Sequence, residues 1–170
     1  MKPATLWLPL SLLAATLSLS GCSSKDEEQE TVTEKSELSL GDLKVKTEEN
    51  GKSTISFGNE GSMTSGAEMD EDTVGVPFYP GSKQLKDSTF SMETAEVKTL
   101  TVQFESDDDP EAVAGFYKKK LGKPEMEMTV NATTTLSYSK DKESLVISAE
   151  RNEDKKTIIY IQKHLDLKKG

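Results

Sequence analysis

The residue types that most often carry catalysis are scarce in this chain of 170 residues, which has one Cys, Cys22, and one His, His164. A lone Cys rules out an internal disulfide and a multi-Cys metal site, and a lone His rules out a zinc site built on a His pair. A Ser-x-x-Lys pattern at 137–140 lies in a predicted strand and not at the start of a helix, so it is a chance match. The sequence therefore predicts no catalytic residues, no metal and no cofactor, and hence a protein that is not an enzyme.

Carboxylates are present in number, with 30 Asp and Glu against 21 Lys and Arg and a net charge of −9. That acidity argues against nucleic-acid binding, which needs a basic surface. Asp107–Asp109 could supply oxygen ligands for Ca²⁺, but an EF-hand alternates its ligands around a Gly, and a helix cap explains these adjacent acids better. Because so many acids bring some carboxylates close together, a carboxylate-dependent hydrolase stays open as an alternative.

Cys22 comes directly after a segment typical of an export signal. Lys2 is the only charge before Lys25, and residues 4–19 are apolar or small. A positive start, an apolar run and a small-residue end predict a secretory signal peptide over residues 1–21, and the run is shorter than a membrane-spanning helix requires.

The segment ends in Leu19-Ser20-Gly21-Cys22, which resembles the lipobox of bacterial membrane lipoproteins: an aliphatic residue, two small residues and Cys. The resemblance implies that the Cys22 thiol receives a diacylglyceryl group, that the chain is cut between Gly21 and Cys22, and that the new amino terminus is acylated, so that palmitate labels the protein. Ser23 at the next position implies the periplasmic face of the outer membrane. The inner membrane and the single membrane of a Gram-positive cell stay open.

Two polar segments flank the first apolar pattern after Cys22. Residues 22–42 are mostly polar and acidic, so they are expected to form a disordered tether. Residues 59–73, rich in Gly, Ser and acids without periodicity, predict a flexible linker. Residues 43–58 between them predict a β-hairpin that docks on the following domain.

Two predicted hairpins have registers set by their apolar faces. The first needs the three-residue loop Glu49-Asn50-Gly51, because a two-residue loop would put its apolar residues on opposite faces. The second closes at Asp141-Lys142. The expected pairs are Val45 with Ile55, Leu43 with Phe57, Tyr138 with Leu145, Leu136 with Ile147, and Thr134 with Ala149.

Residues 74–165 predict an α+β domain, an antiparallel β-sheet with one helix packed on a face, followed by a tail at 166–170. Strands are predicted at 84–92, 98–105 and 157–163, the last of them central or covered on both sides because it is apolar on both faces.

The helix is predicted to begin after Asp109, the N-cap, and to end at Gly122. Its apolar stripe consists of Val113, Phe116, Tyr117 and Leu121. Gly115 inside it suggests close packing on the sheet, since Gly costs about 1 kcal/mol against Ala within a helix.

Pro77-Phe78-Tyr79-Pro80-Gly81, followed by a strand and a helix bearing Phe116-Tyr117, resembles a group of small uncharacterised bacterial lipoproteins with a Pro-x-Tyr-Pro-Gly motif. The resemblance covers about half of the chain and implies no activity. A Gly-Trp pair that many members carry after the helix is absent here. Phe78, Tyr79, Phe116 and Tyr117 are the candidate contacts for a ligand or a partner.

These features predict a lipid-anchored, non-enzymatic protein of the bacterial cell envelope. Its membrane contact is the acylated Cys22, and the leading expectation for its role is to bind an envelope protein or assist assembly. The alternative is a periplasmic carrier of a small ligand, with a pocket between helix and sheet. The side chains expected to line that pocket are Phe104, Phe116, Tyr117 and Tyr138.

Overall fold

An antiparallel sheet of eleven strands dominates residues 36–168, the part of the chain that the computed structural model describes. The strands are β1 (Ser36–Leu40), β2 (Leu43–Thr47), β3 (Ser53–Phe57), β4 (Gly61–Ser65), β5 (Lys83–Gln84), β6 (Phe90–Thr94), β7 (Val97–Ser106), β8 (Met126–Val130), β9 (Thr133–Lys140), β10 (Glu143–Arg151) and β11 (Thr157–Asp166). The helices are the single turn α1 (Glu71–Val74) and the longer α2 (Pro110–Leu121). The predicted class, an antiparallel sheet with a helix, is confirmed in outline.

The strand order is β1-β2-β3-β4-β6-β7-β11-β10-β9-β8, with β5 on the same edge of β7 as β6. β11 lies between β7 and β10 and is central, as its sequence predicts. Ile159 and Ile161 on one of its faces are fully buried, whereas Ile158 and Tyr160 on the other are half-buried. The core therefore lies on the Ile159 side of the central strands.

Helix α2 covers that side by packing on β9 and β10. Of the predicted apolar stripe, Val113 and Tyr117 are buried and Phe116 and Leu121 are half-buried, and Ala114 beside them is buried as well. Asp109 is the N-cap residue in position, but its side chain makes no capping hydrogen bond, so the expected cap is wrong in that detail. No helix among residues 36–168 is long and apolar enough to span a membrane.

Gly115 does not pack closely on the sheet, which corrects the expectation from the sequence. It is exposed, and a Cβ added there would meet nothing within 4 Å. Gly115→Ala should therefore raise the free energy of unfolding by about 1 kcal/mol, because Ala loses less backbone entropy in a helix. Urea denaturation measures this.

The matched control for that substitution is Gly122→Ala at the end of the same helix. Gly122 has a φ of 90°, in the left-handed region, so Ala should lower stability there. If both substitutions changed the free energy of unfolding in the same direction, the backbone argument would be contradicted.

Both predicted hairpin registers are confirmed. In the first, the backbone N–H of Glu48 bonds Lys52 O at 2.8 Å, which leaves residues 49–51 as the loop, and Gly51 has a φ of 85°. The hairpin does not dock face to face on the domain. It joins the sheet edge to edge, through β4 and β6.

The predicted tether, residues 22–42, lies outside the described residues up to residue 35. Its last part is wrong, because residues 36–40 form β1, which pairs with β2. Leu38 faces Val45 and Leu40 faces Leu43, so the two leucines extend the apolar side of the hairpin.

The predicted flexible linker, residues 59–73, is also wrong, because it contains β4 and most of α1. Met63 of β4 stands opposite Ile55 of β3 on one side and Met92 of β6 on the other. These three apolar side chains therefore form a row across the sheet. Asp70 caps α1, with Oδ1 accepting from Thr73 N at 2.7 Å. Backbone pairing and a short cap thus order a sequence with little apolar content.

The predicted strand at 84–92 is interrupted. β5 and β6 both run along β7, opposite Phe104 and Thr101 respectively, and the residues between them loop out. Asp87 in that loop has a φ of 57°, a conformation that ends regular pairing. The segment therefore forms two short strands joined by a loop and not one continuous strand.

Candidate functional site

The aromatic residues singled out from the sequence come together at the start of the domain. Phe78 contacts Phe104 with ring centroids 4.4 Å apart, and Tyr79 meets Phe116 edge-on at 5.3 Å. Phe116 also meets Tyr117 edge-on at 5.1 Å. Tyr117 is fully buried, and so it belongs to the core, and burial raises its pKa. Phe78, Tyr79 and Phe116 are half-buried, and their role as ligand or partner contacts stays a prediction.

Tyr79 fixes this cluster to the loop before α2. Its hydroxyl donates to Asp108 Oδ2 at 2.7 Å, and this hydrogen bond, with a smaller effect of burial, raises the pKa of Tyr79 to about 12. The phenol is therefore a donor at every physiological pH. The Pro77–Gly81 turn serves here to hold the loop against the domain.

The three adjacent acids, Asp107–Asp109, each have a separate partner. Asp107 pairs with Lys156, which lowers the pKa of the carboxyl group, and Asp109 Oδ1 lies 3.3 Å from Arg151. With Asp108 bound to Tyr79, the acids do not converge on one point. Among residues 36–168, no three His, Cys, Asp or Glu side chains are grouped to hold a metal ion.

Arg151 has a structural role that was not predicted from the sequence. It is the only Arg of the chain, and its Nη1 donates to the carbonyl oxygens of Asp107 (3.3 Å) and Asp108 (3.0 Å). It also bonds Thr157 Oγ1 at 3.2 Å, and Thr157, which is fully buried, donates to Asp108 O at 2.5 Å. These bonds join β10, β11 and the start of α2.

A cleft of about 350 Å³ opens where α2 ends above the sheet. Its apolar lining comes from Val76, Leu121, Tyr138 and Leu145. Its remaining lining residues are Gly75, Lys123, Glu125, Ser139, Lys140, Glu143 and Lys163. The cleft forms because Gly122 stops the helix while β9, β10 and β11 continue beyond it.

Sheet register explains how three of these side chains meet. Tyr138 of β9 stands opposite Leu145 of β10, which in turn stands opposite Lys163 of β11. Directly opposed residues project from the same face, here the face that α2 covers. Neighbouring strands lie about 4.8 Å apart, so Tyr138 and Lys163 stand roughly 10 Å apart with Leu145 as the floor between them.

Two polar groups of the cleft are withdrawn from water. The Tyr138 hydroxyl is buried without a hydrogen-bond partner among the described residues, and burial, with a smaller effect of Glu127, raises its pKa. The side chain of Lys163 is only 13% exposed, and its Nζ lies 3.3 Å from Glu143 Oε2. Gly75 permits this position, because a Cβ there would lie 2.9 Å from that Nζ.

The cleft agrees with the predicted pocket in kind but not in most of its residues. Of the four aromatic side chains expected to line it, only Tyr138 does. Phe104 and Tyr117 are buried in the core, and the open volume lies beyond the end of the helix. The sequence feature that could have indicated this site is Lys163. It is a charged residue on the same face of the strand as the buried Ile159 and Ile161.

Other depressions among the described residues have less apolar lining. One of about 330 Å³ lies between the loop at Asn50 and the looped-out residues Lys86 and Asp87. Another of about 550 Å³ is formed by Asp42, Leu43 and residues 57–60. Both are made largely by turns, and neither has a strand floor with a helix above it.

Residues 84–156 match the model of a family described as START domain-like. The match covers less than half of the chain and includes Leu121, Tyr138 and Leu145 of the cleft, but not Val76 or Lys163. No curated protein and no solved structure matches this chain.

Proposed function

We propose that this protein is a lipid-anchored, non-enzymatic binding protein of the bacterial cell envelope, and that it holds a small, partly apolar ligand in the cleft between α2 and the sheet. The observation that carries the proposal is the cleft itself. It has an apolar floor and walls, with a few polar groups at its sides, which is the usual composition of a small-molecule site.

The family match supports a ligand-binding role, because START-like domains are generally ligand-binding. The size supports a small ligand, since about 350 Å³ is at the lower end of the volumes of ligand pockets. The core beneath the cleft is built from strands, so the site is preformed and a ligand need not order it on binding.

The anchor part of the proposal rests on Leu19–Cys22, which lie outside the described residues. Ser36, the first residue of β1, is fourteen positions after Cys22. Fourteen residues span at most roughly 50 Å when extended, so the start of β1 would stay within that distance of the anchor. A carrier held there would exchange amphiphilic ligands with the membrane without diffusing away.

Filling the cleft should abolish binding. In Leu145→Trp, the indole replaces the apolar floor between Tyr138 and Lys163, so we expect affinity for octanoate and for octanol to fall at least tenfold. Methyl NMR titration of the chain from residue 23 onward measures this through shifts at Val76 and Leu121. This chain contains all of the compact unit, residues 33–170.

Ser144→Trp is the matched control, because Ser144 neighbours Leu145 on the same strand and projects from the opposite face. It should leave both affinities unchanged. If neither probe shifted the cleft methyl groups of the unaltered chain, or if Leu145→Trp left binding intact, the ligand-binding role would be refuted.

A further inference from the structure

We propose that the ligand of this cleft is a single-chain amphiphile with an anionic head group, and that Lys163 binds the head. The inference rests on the proposed ligand-binding function and adds the chemical class of the ligand. The head group would be a carboxylate or a phosphate monoester, and the short apolar body would lie along Val76, Leu121 and Leu145.

The placement of Lys163 carries the first step. Its side chain is 13% exposed, while its partner Glu143 is 53% exposed. Within residues 36–168 the Lys163 ammonium has this one carboxylate within 4.0 Å and forms no hydrogen bond. A largely buried ammonium has three donors to satisfy. One solvated carboxylate leaves room for an anion that approaches from the cleft.

The charges around the cleft carry the second step. Its lining contains Lys123, Lys140 and Lys163 against Glu125 and Glu143. Lys123 and Lys140 are exposed, and neither has a carboxylate within 4.0 Å among the described residues. The cationic groups therefore include both the most buried charge and two charges without an ion-pair partner, a distribution that favours an anion.

The end of α2 limits where the head group can lie. A helix C-terminus has a partial negative charge, which weakly opposes a nearby anion. A charge-assisted hydrogen bond to an ammonium is a stronger interaction, so the contact with Lys163 outweighs the effect of the helix terminus. The head group should therefore lie on the sheet side of the cleft, beside Lys163, with the apolar body over Leu145 and toward Leu121.

Four probes of equal chain length test the head group: octanoate, octyl phosphate, octanol and octylammonium. Isothermal titration calorimetry of the chain from residue 23 onward should give at least tenfold tighter binding for the two anions than for octanol, and no tighter binding for octylammonium. The ratio of octanoate to octyl phosphate then distinguishes a carboxylate from a phosphate ligand.

Two substitutions assign the head group to Lys163. Lys163→Met keeps an unbranched stem of similar length, so it should lower octanoate affinity at least tenfold and leave octanol affinity unchanged. Glu143→Gln removes the competing carboxylate and should raise octanoate affinity severalfold. A purely structural ion pair would instead give lower stability in Glu143→Gln with no gain in affinity. Lys168→Met, at the exposed pair with Glu96, is the control that should change nothing.

The outcomes separate this inference from the proposed function. Equal affinity for octanol and octanoate, tighter binding of octylammonium, or unchanged octanoate affinity in Lys163→Met would overturn the anionic head group while leaving a ligand site in place. Absence of binding by all four probes would overturn both.

Discussion

Replacing Cys22 by Ala, in a chain whose signal peptide is still removed, should move the protein from the membrane fraction to the soluble fraction and abolish its labelling by palmitate. The thiol is the only group in the lipobox that can accept the diacylglyceryl chain, and the chain has no second Cys to replace it. Each buried methylene contributes about 0.8 kcal/mol, so loss of two or three acyl chains removes tens of kcal/mol of membrane affinity. Metabolic labelling with radioactive palmitate and fractionation of cells measure both effects.

A second variant keeps this test decisive. In Cys22→Ala alone, the uncut apolar run of residues 4–19 would still hold the chain at the membrane. Cys22→Ala should therefore also be combined with a signal peptide that an ordinary signal peptidase removes. Ser24→Ala is the control and should stay labelled and membrane-bound. Palmitate labelling or firm membrane association in the combined variant would refute the lipid anchor.

The sequence predicted the parts of the fold that depend on local pattern. The register of both hairpins follows from which apolar side chains must share a face, and Val45 with Ile55 and Tyr138 with Leu145 confirm this. α2 has its predicted bounds because Pro110 fixes the backbone at its first position and Gly122 adopts the positive φ that ends it.

The parts that failed depend on pairing with neighbouring strands and not on the apolar pattern of the segment itself. β4 has Met63 as its single large apolar residue, and it is a strand because β3 and β6 lie on either side of it. β1 likewise forms against β2. A polar segment can be ordered by backbone hydrogen bonds to its neighbours, and composition alone does not reveal those neighbours.

The site shows the same division. The sequence indicated that aromatic side chains of α2 and the sheet would meet, but it could not show that Phe104 and Tyr117 fill the core. The open space at the end of α2 depends on how far β9, β10 and β11 extend past Gly122, which is a property of the assembled sheet. The expected envelope protein partner stays a prediction. Ligand binding in the cleft would not require such a partner.

Arg151→Met should destabilise the domain by about 2–3 kcal/mol, measured by urea denaturation. The guanidinium, 28% exposed, donates to two backbone carbonyl groups of the loop that opens α2, and to Thr157. Hydrogen bonds from a charged donor contribute about 1.5–3 kcal/mol, and the loss leaves Asp107 O and Asp108 O without that donor. Met preserves much of the apolar stem, so the change reports on the hydrogen bonds more than on packing.

Lys156→Met provides the comparison on the same loop. Lys156 pairs with Asp107, whose side chain is 84% exposed, and such surface ion pairs contribute little to stability. Its effect should therefore be much smaller than that of Arg151→Met although both substitutions remove one positive charge. Equal effects for the two variants would mean that net charge, and not the contacts of Arg151 with the backbone, governs stability. A difference near 2 kcal/mol would show that this one arginine, rather than the acidic cap expected from Asp109, holds the start of α2 on the sheet.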